Sequence, residues 1–306
     1  MSDLGPDRDF IGYGRNIPEV VWPDNARVAV SIVVNYEEGS ERSYLAGDNR
    51  NETLGEANRT LDPGYRDLAT ESTYEYGSRA GIFRLLRMFD RYGIKTTFFA
   101  AAVALEANPG VCDWLRQSGH EPCSHGWRWA EEWLLGRDEE KRRIRLAVQS
   151  IERTCGERPV GWYSRWMPSI YTRELLVEEG GFTYDSNAYN DDLPYYTTVL
   201  GQPHLVVPYT LTYNDGRFLS AGWSAADFLD LCRRGFDYLW DEGESHPKMM
   251  SIGLHPRTMG QAGRASALAE FIEYALARGA VWFARRRDIA DWWRAHYPPG
   301  GAPEAR

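Results

Sequence analysis

Residues 27–39, RVAVSIVVNYEEG, run from one basic residue through a β-branched, apolar stretch into two adjacent carboxylates. A short continuous apolar run of this kind, closed by a turn signal, reads as a strand covered on both faces, as strands of parallel sheets are. Where it surfaces it delivers Glu37 and Glu38 side by side. Two solvated acids at a strand end would look the same. So would an active site, because in parallel α/β folds ligands bind beyond the carboxyl ends of the strands. The other strand ends have to discriminate.

Outward from this stretch, strand-like and helix-like segments take turns. SRAGIFRLLRMFDRYG (78–93) has Ile82, Phe83, Leu86 and Phe89 at helical spacing and Gly93 as a stop. IKTTFFAAAV (94–103) follows as a strand, then EANPGVCDWLRQSG (106–119) as a helix and HEPCSHG (120–126) as a short strand. RDEEKRRIRLAVQSIERTCG (137–156) opens with acids and ends on Gly156, which suits a helix dipole. The alternation continues through PVGWYS, TRELLVEEGG, FTYDS, LVVPY, SAADFLDLCRRGFDYLW, KMMSIGLH, GRASALAEFIEYALARG, AVWFA and RRDIADWWRAHYP. About eight strand signals in unbroken rhythm predict an α/β fold, a (β/α) barrel over residues 20–295 in a single domain. Residues 40–77 interrupt the rhythm: polar, glycine-punctuated and without either period, they read as a long insertion loop, a lid or a subunit contact. The tail 298–306 reads as disordered.

Composition narrows the function classes. The formal charge of -9 disfavours nucleic acid and anionic membrane as partners, both of which reward excess Lys and Arg. Four widely separated cysteines, with no CxxC pair, read as buried thiols of a reducing compartment. The first ten residues, MSDLGPDRDF, carry neither a basic nor an apolar signal region, and no run approaches the ~20 apolar residues of a membrane span. A cytoplasmic protein with a small-molecule substrate is expected.

The remaining strand ends also carry reactive residues. His125 stands in CSHGWRW, Arg165 in GWYSRWMPS, Asp185 in YDSNAYNDDLPYY and His255 in IGLHPR. Each alone would more often be structural, and Arg165 could equally pair with Asp191 or Asp192 as a clamp. Coincidence at five strand ends favours a site. Aromatic residues crowd the same segments: Tyr36, Trp127, Trp129 and Trp166 are candidate substrate contacts, with Asp185. A carboxylate in such surroundings has its pKa raised, and a neighbouring acid raises it further, so Glu37 is the expected general base. His255 would protonate a leaving nitrogen, and Arg165 would orient a carboxylate or carbonyl oxygen.

In the order YEEG, SHGWRW, R-x-x-P, YDS…NDDLPY and LHP, the chain resembles the NodB-type polysaccharide deacetylase superfamily, whose fold is a distorted (β/α) barrel. It is most similar to the branch of metal-independent bacterial allantoinases and related cyclic-amide hydrolases. The resemblance implies hydrolysis of a carbon–nitrogen bond, in this branch within a small cyclic amide such as a hydantoin, imide or allantoin-like ureide, and a homo-oligomer, dimer or tetramer. Superfamily deacetylases hold zinc with an Asp and two His spaced i, i+4. Here Glu38 falls on the metal-Asp position, Glu37 on the base position and His125 on the first His, but the second falls on Trp129. Indole has an N–H donor and no ligating lone pair, so no cofactor is expected; zinc on Glu38 and His125 stays open as an alternative. Two other functions stay open: a metal-dependent N-deacetylase of a sugar or small N-acyl substrate, and an inactive barrel that binds a carbohydrate or ureide.

Overall fold

The computed structural model describes residues 4–53, 61–219 and 224–300. Its centre is β1 (Val28–Tyr36), and all nine of its residues are buried. The run is apolar on both faces because both are covered. Val28, Val30, Ile32, Val34 and Tyr36 pack into the layer beneath the helices, while Ala29 and Val33 pack inside the barrel with Phe99, Cys123, Tyr163 and Tyr184. Each valine or isoleucine so buried contributes about 1.5–3 kcal/mol.

The other strands are β2 (Thr97–Ala100), β3 (Glu121–Ser124), β4 (Gly161–Trp162), β5 (Tyr184–Asp185), β6 (Tyr195–Val199), β7 (Gln202–Val206), β8 (Lys248–Leu254) and β9 (Val281–Phe283). They hydrogen-bond in the order β6-β7-β5-β4-β3-β2-β1-β8, with β9 also against β1. All pairs are parallel except the β6–β7 hairpin. β1 runs beside β8 along Val28–Val34; its other edge meets β9 at its start and β2 at its end. Opposite, β8 meets the chain after β7 through one bridge, Asn214 to Gly253. The result is a distorted (β/α) barrel in one domain. The hairpin was not legible as two strands, because Tyr195–Val199 is half-exposed and polar on both faces.

Residues 40–77 are more ordered than their pattern suggests. A short 3-10 turn spans Tyr44–Ala46, and a helix spans Leu68–Tyr76 with Asp67 as its N-cap, accepting from Thr70 N. Only Thr70 and Tyr74 of that helix are buried, a stripe too narrow to register as a period. Residues 54–60 of this insertion and 301–306 of the expected tail lie outside the described residues. All four cysteines are free and buried.

Candidate active site

β1 presents odd-numbered residues to the barrel interior and even-numbered ones to the helices, and the two acids continue that alternation past its end. Gly39, at a φ of 90°, turns the chain directly after them, and Ser40 N closes the turn on Glu37 O at 2.9 Å. Glu37 therefore faces inward, where His125 Nε2 lies 3.3 Å and His255 Nε2 3.6 Å from its Oε1. Glu38 faces the helical side and accepts from Glu37 N at 2.9 Å and Arg257 N at 3.3 Å. Both carboxylates nonetheless meet one cation. Arg257 Nη2 is 2.9 Å from Glu37 Oε2, and its Nη1 is 3.6 Å from Glu38 Oε1. Each acid is only 1% exposed.

This arrangement reverses the electrostatics expected of the pair. Burial by itself would raise Glu37, but Arg257, then His255 and His125, outweigh it and hold its carboxyl well below the usual carboxylate range. Glu38 goes the other way. Burial, helped by the Glu37 charge and only partly offset by Arg257, pushes it up to about 7. The raised member of the dyad is Glu38, not Glu37.

The two histidines are held by different partners. His125 Nδ1 donates to Tyr163 O at 2.6 Å, a contact that leaves Nε2 for Glu37. His255 is gripped twice by Asp215, at its backbone N (2.8 Å) and its Nδ1 (2.6 Å). Burial alone would strip the proton from His255; Asp215 and then Glu37 more than compensate, against Arg257, and its pKa stands at about 9. His255 is thus an imidazolium at neutral pH, with Nε2 towards Glu37.

The structure brings together Glu37, Glu38, His125 and His255 and does not bring Arg165, Asp185, Tyr36 or Trp127 to them. Arg165 lies with Glu52, Nη2 to Oε2 at 3.0 Å, and with neither Asp191 nor Asp192. It stacks over Trp129 at 3.8 Å and Trp166 at 4.9 Å. Asp185 is spent on Arg173 (2.9 Å) and His204 (2.7 Å). Tyr36 points under the helices, its hydroxyl 3.0 Å from Ser78 Oγ, and Trp127 packs against the same outer layer. Trp129 does reach the site's edge, its ring 5.5 Å from the Arg257 guanidinium. Two residues in contact with this cluster, Arg257 and Asp215, were not among the candidates read from the sequence. Arg257 stood two positions after His255 in the same motif, and Asp215 sat in an Asn-Asp-Gly stretch that reads locally as nothing but a turn.

Residues 42–52 are strapped to residues 128–131 by charge. Arg42 Nε binds Glu131 at 2.8 Å, Arg50 binds Glu131 at 2.7 Å, and Arg128 binds Asp48 at 2.7 Å. The donor set does not fit zinc. Among the described residues no three His, Cys, Asp or Glu side chains are grouped to hold a metal ion. Glu38 and His125, the pair left open for zinc, do not meet, because His125 faces Glu37 while Glu38 turns to the Arg257 backbone. Trp129 cannot ligate, and a guanidinium already lies against both acids.

Residues 67–176 match the polysaccharide deacetylase family model. Over 95% of this chain and 98% of its own length, a polysaccharide-deacetylase-like protein of Schizosaccharomyces pombe is 37% identical. The chain belongs to the polysaccharide deacetylase family. Two solved structures superpose with a TM-score of 0.91 over 96% of this chain and 99% of theirs. One is a probable polysaccharide deacetylase from Pseudomonas aeruginosa at 45% identity, the other Puue allantoinase at 44%. This family member is a deacetylase-type hydrolase. No helix among its described residues is long and apolar enough to cross a membrane.

Proposed function

We propose that this enzyme opens the C–N bond of a small cyclic amide, a hydantoin, imide or allantoin-like ureide, without a metal. The observation that carries the reading is the Arg257 guanidinium 2.9 Å from Glu37, next to a cationic His255. Fixed protein cations can supply the charge stabilisation for which deacetylases of this superfamily use a metal. The 44% identity to Puue allantoinase supports the cyclic-amide class. A ring amide is strained and activated relative to an acetamide, so it suits a site whose electrophilic help is hydrogen bonding alone.

In this mechanism a water beside Glu37 and His125 gives its proton to that pair and attacks the ring carbonyl carbon. A carboxylate held well below its usual range is a weak base by itself. Its oxygen, however, lies 3.3 Å from His125 Nε2, which takes the proton from water. Arg257 steadies the oxyanion, and His255 Nε2 hands its proton to the departing nitrogen as the C–N bond breaks. The protein is read as a cytoplasmic homo-oligomer, with residues 42–52 as a lid over the site. Turnover by purified protein of hydantoin, succinimide, dihydrouracil, allantoin and N-acetylglucosamine tests the reading. Cleavage of the acetamide alone refutes the cyclic-amide assignment. Exhaustive chelation should leave the rate unchanged; a loss that stoichiometric Zn²⁺ restores refutes the metal-free mechanism.

A further inference from the structure

Buried polar groups in folded proteins almost always find hydrogen-bond partners, and those that do not call for an explanation. Three such donors gather at one edge of this site. Trp129 Nε1, Arg257 Nη1 and Arg165 Nε are all buried and make no hydrogen bond. Both guanidinium groups lie against the Trp129 ring. The Arg165 guanidinium lies 3.8 Å and that of Arg257 5.5 Å from the Trp129 ring, and Tyr74 stands 6.4 Å from the same ring. The indole is only 2% exposed, so solvent does not satisfy its N–H. On the other side of Arg257, Glu37 Oε2 is likewise buried without a hydrogen bond, although it forms an ion pair with Nη2. Buried polar atoms without hydrogen bonds thus gather about one guanidinium, whose Nη2 and Nη1 are in ion contact with Glu37 and Glu38.

We propose that Trp129 is a catalytic residue: its indole N–H, together with Arg257 Nη1, receives the oxygen of the scissile carbonyl and holds it as the tetrahedral oxyanion. The inference rests on the hydrolytic reading above but not on which amide is cleaved. When water oxygen bonds to the carbonyl carbon, the C=O π pair moves onto oxygen, and two donors then face a full negative charge. The charge returns to re-form C=O as the C–N bond breaks and His255 supplies the nitrogen's proton. The neutral indole donor adds to the guanidinium without adding charge, so it stabilises the anion without holding a neutral carbonyl too tightly in the ground state. The residue type that bars a metal ligand from position 129 is, on this assignment, itself the electrophilic group.

The experiment replaces Trp129 with 3-benzothienylalanine, in which sulfur stands where the N–H was and ring shape is kept. On the best amide of the panel, kcat should fall ~10²-fold or more with KM changed less than ~3-fold, as for loss of one oxyanion donor. Trp129→Phe should lose at least as much. A benzothienyl enzyme with kcat within ~3-fold of wild type overturns the assignment. The wild-type rates across the panel report separately on substrate class, so the two readings can fail independently. A readout free of turnover uses ¹⁵N-tryptophan spectra, with the Trp129 resonance assigned by its absence in the benzothienyl protein. Binding of a cyclic phosphonamidate should move that indole proton downfield, and a saturated complex with an unmoved resonance overturns the proposal.

Discussion

Asp215→Asn should move the alkaline limit of this enzyme without destroying its chemistry. Asp215 lies 2.6 Å from His255 Nδ1, and its charge is the foremost reason that His255 titrates at about 9 against an ordinary 6.5. Asparagine keeps an oxygen acceptor of the same shape but removes the charge, leaving burial opposed by Glu37 alone. The His255 pKa should then fall back by roughly 2.5 units, about 3 kcal/mol of proton affinity. At pH 8 the wild-type ring is ~90% protonated and the variant ring ~3%, so kcat should drop ~30-fold; at pH 5.5 the two should differ by only a few fold. Stability follows the same sign. A histidine whose folded pKa is raised stabilises fully below its unfolded pKa of about 6.5, and that contribution is lost as pH rises through about 9. The variant should lack this slope. The assay is kcat against pH from 5 to 10, with melting curves at each pH. An alkaline limb still at about 9 in Asp215→Asn, or an equal loss at every pH, would refute the view that Asp215 acts by holding the proton on His255.

Three further predictions test other parts of the site. Glu132 is buried beside Gly126, and burial, against a hydrogen bond to Ser164, pushes it up to about 8. Its stabilising effect is therefore complete below the unfolded value near 4.5 and lost as pH rises through about 8. Glu132→Gln should flatten the fall in melting temperature between pH 5 and 9, and an unchanged slope would count against a neutral Glu132. A Cβ at Gly77 would strike the Glu38 carboxylate and lie 2.9 Å from Arg257 N, so Gly77→Ala should cost ~1–3 kcal/mol in denaturant titrations and lower turnover, and a neutral outcome would mean the acid is free to shift. Arg128→Ala, or ~1 M salt, where screening acts within ~3 Å, should speed amide exchange in residues 42–52 but not in β1; equal protection would remove the ionic strap as what holds that segment.

Much of this protein was determined locally. The run 28–36 reads as a strand covered on both faces because it is rich in β-branched residues with apolar side chains on both faces, and the rhythm after it called for parallel neighbours. Strand ends fixed where Glu37, Glu38, His125 and His255 would surface, because direction and alternation along a strand are written in sequence order. What needed the tertiary structure was every property summed over distant groups. Glu37 and Glu38 are neighbours with the same side chain, yet one is pulled down and the other up. Two histidines and Arg257 converge on Glu37 from β3 and β8, while Glu38 receives backbone N–H groups and one longer ion contact. Asp215 reaches His255 from forty residues away through a turn with no period to betray it, and Glu52 captures Arg165 across more than a hundred. Charge interactions depend on distances of about 3 Å between atoms, and sequence separation carries no information about those.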